Sequence, residues 1–333
     1  MRSQNELPRR RSKGGGTGDP GRGRTASTPG DFPALGLRDV FWRVVSQVSE
    51  DRVTLVAAGV TFYILLALFP ALTSLVSIYG LVSDPTAIGE QIAYLAAVLP
   101  AQSLQLVTDQ LQAITSQKPS SLSIGFIAGL VVALWSARAG IAALFDAMNI
   151  AYDEVEERGF IRLTMLSLAF TAAGLLVTAV LIAAIAVLPA VLAFLSLDRW
   201  LESLARILRW PVLLLLIGAA IALLYRYGPD RDPPKLRWLT WGAALSTLCW
   251  LPASLLFSFY IDNFADYNAT YGAMGALIGF MLWIWLSTII IIVGAELNAE
   301  LEHQTARDTT MGPSKKMGDR DAYVADTIGE KSD

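Results

Sequence analysis

Residues 267–295 read YNATYGAMGALIGFMLWIWLSTIIIIVGA, and none of these side chains carries a charge. A helix needs about 20 consecutive apolar residues to cross the hydrocarbon core of a bilayer. This run is long enough, and it lacks the strict alternation of apolar and polar residues that is typical of a membrane β-barrel strand. It therefore predicts a membrane-spanning helix.

Five further runs with no charged residue precede it. They are Val53–Ser83, Pro119–Ala137, Leu163–Leu197, Trp210–Tyr225 and Trp238–Ile261. The run 163–197 is too long for one upright crossing and too short for two with a turn, so it predicts one long or tilted helix. The run 119–137 continues past Arg138 to about Phe145, and the short run 210–225 needs help from snorkelling arginines at its ends. We therefore predict an all-α polytopic membrane protein with about six transmembrane helices, because irregular backbone is not stable against lipid.

The composition agrees with this fold and limits the chemistry. Apolar residues make up 54% of the 333 positions and charged residues 17%, against roughly 25% charged residues in soluble domains. The chain has one cysteine, Cys249, and one histidine, His303. A disulfide framework is therefore excluded, and no metal or other cofactor is expected.

The polar ends of the chain differ from its centre. Residues 1–36 are rich in Gly, Ser, Pro and Arg and predict a disordered basic tail, residues 37–303 predict the membrane domain, and residues 304–333 predict a polar flexible tail. The basic run Arg9–Arg11 has two interpretations. It is a charge cluster that sets topology, or it tethers the tail to anionic lipid.

Lysine and arginine are distributed unevenly among the connecting segments. With the N-terminus inside, the inner segments hold 21 of these residues and the outer segments hold four, three of them in the loop 198–209. Basic residues accumulate on the cytoplasmic side of a membrane. The pattern predicts a multi-pass protein of the bacterial inner membrane with both termini in the cytoplasm.

Apolar residues at helical spacing predict amphipathic helices beside the first span. Two short ones are expected between the first and second spans, and one precedes the first span on the cytoplasmic side. Their apolar positions are Ile88, Ile92, Leu95 and Leu99, then Leu104, Val107, Leu111 and Ile114, and, before the first span, Val40, Val44, Val45 and Val48.

Arg138 is the one clearly intramembrane charge in this pattern, and such a residue is costly enough to suggest a function. Asp146, two turns further on, and Glu296, at the inner end of the last span, are its candidate partners. A structural ion pair that fixes helix register is one interpretation. Contact with an anionic substrate group, such as a phosphate or carboxylate, is the other.

A polar group closes the last span. Glu296, Asn298 and Glu300 follow Gly294 and Ala295, and the two carboxylates lie one helical turn apart on the same face. They belong to a substrate path or proton relay, or they are only the first solvated turn of the helix.

Two features of the spans could mark a transport site. Pro70 lies in the middle of the first span and predicts a kink. An aromatic stripe at helical spacing joins the fifth and sixth spans, and it forms either a pocket wall or the aromatic belt of the outer interface. Its members are Phe257, Tyr260, Phe264, Tyr267 and Tyr271.

Several local signatures occur together in this order, and they resemble one family. They are Ala57-Ala58-Gly59, Phe62-Tyr63 and Phe69-Pro70, the run from Arg138 to Asn149, Tyr152 and Glu157-Arg158, then Tyr227-Gly228-Pro229, Lys235, Trp238, Trp250, Tyr260, Phe264, Tyr267, Tyr271-Gly272, and Gly294-Ala295-Glu296-Leu297-Asn298-Ala299-Glu300. Over about residues 38–303, the chain resembles the YihY/BrkB family of bacterial inner-membrane proteins, once labelled ribonuclease BN. The resemblance implies a six-helix membrane fold, with proposed roles in lipid or envelope-component transport and serum resistance.

Three functions remain to be compared. A transporter or flippase of an anionic or lipid-like envelope substrate is favoured by Arg138, Pro70 and the carboxylates at the inner end of the last span. A non-transporting scaffold or envelope-integrity factor would use the same residues for packing. A ribonuclease is disfavoured because one histidine cannot supply the usual metal ligands. The expected partners are membrane lipids, without nucleic acid.

Overall fold

The computed structural model describes residues 20–82, 119–182, 199–263 and 274–331. Over these ranges the regular elements are helices, and strand pairing is limited to one isolated bridge between Pro234 and Thr310. The helices are α1 (Ala34–Glu50), α2 (Val53–Val82), α3 (Pro119–Ala151), α4 (Phe160–Ile182), α5 (Arg199–Tyr227), α6 (Leu236–Asn263), α7 (Met274–His303) and the short α8 (Tyr323–Asp326). The predicted all-α class is confirmed.

Helices α2 to α7 are long enough to be membrane spans. The shortest has 23 residues and the longest 33, and a helix rises 1.5 Å per residue. Stretches that are long and apolar enough to cross a bilayer are Phe160–Thr178, Ile207–Tyr227, Leu236–Ile261 and Leu277–His303, with a shorter apolar stretch at Val53–Ala67. Large apolar side chains such as Leu176, Leu215 and Leu248 are 66%, 73% and 67% exposed. A surface of this kind is stable against lipid and not in water, so this is a polytopic integral membrane protein.

The connecting loops 152–159 and 228–235 and the flanking segments 20–33 and 304–331 meet at one end of the bundle, which we call the polar end. The amide N–H of Asp230 donates to Asn149 Oδ1 over 2.8 Å, which joins the last turn of α3 to the loop before α6. The guanidinium of Arg158 donates to the carbonyls of Tyr227 and Gly228. These bonds fix the ends of α3, α4 and α5 relative to one another.

Buried side chains of α2, α3, α5 and α7 pack together next to the polar end. Ala57, Phe145, Met148, Tyr225 and Ala295 are all fully buried there. The helix pair with the most extensive contact is α2 and α3. The small alanines let the helices approach closely. The larger side chains of Phe145, Met148 and Tyr225 fill the remaining space between them.

Helices α6 and α7 approach each other closely at two glycines. A Cβ atom on Gly242 would clash with the carbonyl of Gly294, and a Cβ on Gly294 would clash with Ser246 and Tyr225. The hydroxyl of Tyr225 lies 2.7 Å from Ser246 Oγ and donates to the carbonyl of Ile291. Hydrogen bonds between helices of this kind hold a membrane bundle together where there is no water to compete.

Several predicted boundaries change. The segment 199–209, expected to be part of an outer loop, is the first part of α5, and Pro211 lies inside this helix. Its arginines lie among Trp200, Leu204 and Ile207, whose spacing supports a continuous helix. The helix predicted over 163–197 begins at Phe160 and runs to Ile182, and residues 183–197 lie outside the described residues, as do the amphipathic helices predicted over 88–114.

The helix predicted around Val40–Val48 is α1, and its packing shows two environments. Asp39 and Val40 are buried, and the helix packs against α7. Phe41, Trp42 and Val45 are 59%, 51% and 47% exposed. The helix therefore has an outward apolar face of the kind that lies in a membrane interface.

The two tails do not remain loose over the residues that the structure describes. Arg24 is fully buried and donates to the carbonyls of Gln304 and Gly329, and Thr305 Oγ1 donates to the carbonyl of Ala26. Val324 is also buried. Composition suggested disorder because these segments have few apolar residues, but bonds between them and to the helix ends provide the missing stabilisation.

Candidate functional site

Arg138 lies on α3 with its guanidinium between two aromatic rings. The guanidinium carbon is 5.3 Å from the ring centroid of Trp135 and 5.3 Å from that of Phe160, the first residue of α4. These distances are within the range of a cation–π interaction. Nε of Arg138 is buried and has no hydrogen-bond partner among the described residues.

Neither predicted partner forms an ion pair with Arg138. Asp146 is exposed and faces the loop that holds Glu156 and Arg158. Glu296 is buried and contacts Asp51, in the turn between α1 and α2. The rotation of the helices places the three predicted residues in different environments, and within the described ranges no carboxylate reaches the arginine.

An apolar groove adjoins Arg138 on the outer surface of α4. It has a volume of about 1020 Å³ and is lined by Gly159, Phe160, Ile161, Arg162, Met165, Leu166 and Ala169. Ile161 and Met165 are 75% and 68% exposed. Phe160 links the two features, because its ring stacks on Arg138 and also lines the groove. Arg138, which has no carboxylate partner within the described ranges, therefore lies next to a largely apolar surface groove on α4.

Glu300 is held by two basic groups. It forms an ion pair with Nε of Arg43 in α1, and Nδ1 of His303 lies 3.7 Å from the same carboxylate oxygen. The other ring nitrogen of His303 lies 3.0 Å from Thr327 Oγ1. The single histidine therefore joins α7 to the C-terminal segment.

Asn298 has a different role from its two neighbouring carboxylates. Its Oδ1 accepts a hydrogen bond of 2.8 Å from the backbone N–H of Gly242, at the crossing of α6 and α7. Its side chain also lies next to Tyr152. The residues 296, 298 and 300 thus contact three different elements and do not line one common path.

An ion pair that the sequence did not reveal lies beneath these residues. Nη2 of Arg231 donates to Oε2 of Glu302 over 2.7 Å, and both side chains are fully buried. Thr309 donates to the same oxygen, and the ring of Tyr152 lies 5.0 Å from the guanidinium. Burial raises the pKa of Tyr152 well above its usual value, and the carboxylate of Glu302 raises it further. Neither residue stands out in the sequence, because an arginine in a polar loop and a glutamate at a helix end are common surface charges.

Glu154 is a partly buried acid at the polar end. Burial raises its pKa to about 7, although the N–H of Tyr323 donates to Oε1 over 2.8 Å and lowers it in part. This carboxyl group connects the loop after α3 with α8, and its charge depends on pH close to neutrality.

The remaining predicted features are only partly described. Phe257 and Tyr260 of the aromatic stripe lie on α6 with ring centroids 6.5 Å apart, and Phe264, Tyr267 and Tyr271 lie outside the described residues. Pro70 falls within α2. In the described ranges, no group of three His, Cys, Asp or Glu side chains could hold a metal ion.

Comparison with known proteins identifies relatives. A family model described as virulence factor BrkB matches residues 44–318. The chain is similar to a ribonuclease-like protein of Bacillus subtilis, YfkH, with 30% identity over 292 residues, 86% of this chain and 98% of that protein. It is also similar to a UPF0761 membrane protein of Neisseria meningitidis serogroup B, with 27% identity over 266 residues, 79% of this chain and 63% of that protein.

A UPF0761 membrane protein of Azotobacter vinelandii is 28% identical over 265 residues, which cover 78% of this chain and 63% of that relative. The chain thus spans less than two thirds of these two UPF0761 relatives and nearly all of the Bacillus protein. No solved structure matches. Because the family model covers most of the chain, including α2 to α7, this protein belongs to the virulence factor BrkB family of membrane proteins.

Proposed function

We propose that this protein is a bacterial inner-membrane transporter or flippase of an anionic, lipid-like envelope substrate, with Arg138 as the substrate-contacting cation. The observation that carries the proposal is the guanidinium of Arg138, which has no carboxylate partner in the described ranges and lies beside the groove on α4. An arginine at membrane depth needs an anion or water to offset its desolvation. A lipid phosphate supplies the charge, and its acyl chains match the apolar lining.

In this proposal the polar end faces the cytoplasm. The support is the asymmetry of basic residues, 21 in the segments assigned to the inside and four outside. The groove then opens toward the inner leaflet, since its lining begins at Gly159 and Phe160, at the start of α4. Substrate would enter laterally from that leaflet.

We propose no ribonuclease activity for this chain, although a relative carries a ribonuclease-like name. His303 is engaged by Glu300 and Thr327 and joins two segments of the protein. Purified protein should leave transfer RNA intact with and without added divalent metal. Cleavage that depends on His303 would reverse this part of the proposal.

The test is lipid movement in vesicles that contain the full-length protein. Fluorescent phosphatidylglycerol is followed by dithionite quenching of the outer leaflet, with and without an imposed pH gradient. Wild-type protein should move the lipid faster than protein-free vesicles. Arg138→Ala should lower that rate by about tenfold or more, and Arg138→Lys should fall between the two because it keeps the charge without the planar fork.

Arg209 offers a matched control. Its guanidinium stacks on Trp210 at 5.2 Å and its Nε is buried without a hydrogen-bond partner among the described residues, but Trp210, unlike Phe160, is not part of the groove lining. Arg209→Ala should leave the lipid rate within about twofold of wild type. Equal rates for wild type and Arg138→Ala would exclude Arg138 as the substrate-contacting cation, and no protein-dependent movement at all would favour a non-transporting scaffold.

A further inference from the structure

A second cavity lies at the polar end, separate from Arg138 and its groove. It has a volume of about 410 Å³, and its walls come from three distant parts of the chain. The lining residues are Ser27, Lys235, Arg237, Ala306, Arg307, Asp308, Ser314 and Arg320. A cavity of this size accommodates a small polar molecule or a lipid headgroup.

Backbone pairing holds the walls in place. The N–H of Lys235 donates to the carbonyl of Thr309 over 2.9 Å, and the N–H of Met311 donates to that of Pro233 over 3.0 Å. On the other side, the N–H of Ala306 donates to the carbonyl of Arg24 over 2.8 Å. The cavity is therefore a product of the fold and not of one mobile loop.

Two of the lining charges are already used within the protein. Arg320 is 3% exposed and donates to the carbonyls of Ala306, Arg307 and Ala325. Its Nε lies 3.9 Å from Asp308, whose carboxylate also accepts from Thr310 and from the N–H of Lys315. Arg320 therefore offsets the one acidic charge in the lining.

The other three cations leave the cavity positively charged. Lys235 Nζ donates to the carbonyl of Asp308 over 3.0 Å, which places its charge without neutralising it. Arg237 and Arg307 are exposed, and neither forms an ion pair with a described carboxylate. The hydroxyls of Ser27 and Ser314 add hydrogen-bonding capacity at the rim.

We propose that this cavity binds a phosphate-bearing anion through Arg237 and Arg307, with Lys235 as a third cation. Guanidinium groups bind phosphate oxygens in a bidentate fashion, and a cluster of cations without carboxylate partners is stabilised by such a ligand. The ligand is either a lipid headgroup or a soluble phosphate. Arg237 lies in the first turn of α6, where the apolar stretch begins at Leu236, so the cavity is at headgroup level.

The experiment measures binding to the full-length protein and does not require transport. In one arm, inorganic phosphate is titrated calorimetrically onto protein in phosphatidylcholine nanodiscs. In the other arm, native mass spectrometry counts phosphatidylglycerol molecules retained by protein in detergent. Binding in the first arm assigns a soluble phosphate, binding in the second alone assigns a headgroup, and the absence of binding in both overturns the proposal.

Single-charge variants test the location of the site. Arg237→Gln and Arg307→Gln should each weaken binding of the responding probe by about tenfold. Lys316→Gln removes one charge from an exposed residue of the same segment outside the cavity, and its binding should stay within about twofold of wild type. An equal loss in all three variants, or a loss in only one arginine variant, overturns the proposal.

Discussion

The guanidinium of Arg231 and the carboxylate of Glu302 form an ion pair in which both side chains are fully buried, with Nη2 and Oε2 2.7 Å apart. The pair joins the loop before α6 to the end of α7. It therefore links the helices at the place where the C-terminal segment begins.

Removing one charge of this pair should destabilise the protein strongly. In Glu302→Gln the side chain keeps its size, but the buried charge of Arg231 loses its counter-ion. The expected loss is about 3–5 kcal/mol in the free energy of unfolding. Thermal or denaturant unfolding of the detergent-solubilised protein measures it.

An exposed pair at the same end provides the comparison. Lys315 and Asp232 form an ion pair whose side chains are 39% and 34% exposed. Lys315→Gln should cost less than about 1 kcal/mol, because solvent screens the pair. If both substitutions have the same effect, burial does not determine the contribution of the Arg231–Glu302 pair.

Glu154 should make stability depend on pH near neutrality. Its pKa is about 7 in the folded protein and 4.5 for the ordinary side chain. The folded state thus holds this proton more tightly than the unfolded state does. The stability that protonated Glu154 contributes to the folded state is therefore fully present below about pH 4.5, decreases as the pH rises to about 7, and is lost above that.

Glu154→Gln should remove this dependence. We expect the variant to be more stable than wild type by roughly 1–3 kcal/mol at about pH 8 and to differ little at about pH 5. Unfolding midpoints at the two pH values measure the difference. Glu157→Gln, which changes an exposed acid of the same loop, should shift both midpoints equally or not at all. A gain for Glu154→Gln that is the same at both pH values would contradict the burial argument.

The crossing of α6 and α7 should not tolerate a methyl group. Gly242→Ala and Gly294→Ala place a Cβ into backbone or side-chain atoms of the partner helix, and overpacking of this kind costs about 1–3 kcal/mol or more. Gly174→Ala is a matched control on α4, where nothing lies within 4 Å of the added Cβ. It should be neutral or slightly stabilising. Equal melting temperatures for all three variants would show that the helices can separate at no cost.

Arg24 should control the accessibility of the C-terminal segment. Arg24→Ala removes its bonds to the carbonyls of Gln304 and Gly329. Proteinase K should then cut within residues 304–331 about tenfold faster than in wild type, because local opening becomes easier. Lys316→Ala, at an exposed position of the same segment, should leave the cleavage rate unchanged, and an equal rise in both variants would show that Arg24 does not hold the segment.

The membrane fold could be predicted because it depends on the length and hydrophobicity of each run of residues, which are properties of the local sequence. A run such as 267–295 is long and apolar enough to cross a bilayer whatever its neighbours are, and helices are the conformation that satisfies its backbone in lipid. Boundaries were less predictable. The three arginines in 199–209 predict a loop, but the apolar residues among them continue the helix, so α5 begins at Arg199.

The partners of the polar residues were decided by the tertiary structure. Spacing put Arg138, Asp146 and Glu296 near the same end of the bundle, but a rotation of one helix by a single residue changes the direction of a side chain by about 100°. Arg138 therefore lies between Trp135 and Phe160, and Glu296 lies beside Asp51.

The sequence by itself determined that this chain is an all-helical membrane protein and that its basic residues are distributed asymmetrically, because hydrophobicity and charge are local properties. Only the tertiary structure decided that the tails pack together and that a basic cavity forms between them. Arg24 and Gln304 are 280 positions apart, and the sequence alone does not indicate which carbonyl an arginine at such a distance will bind. That choice follows from the arrangement of the helix ends.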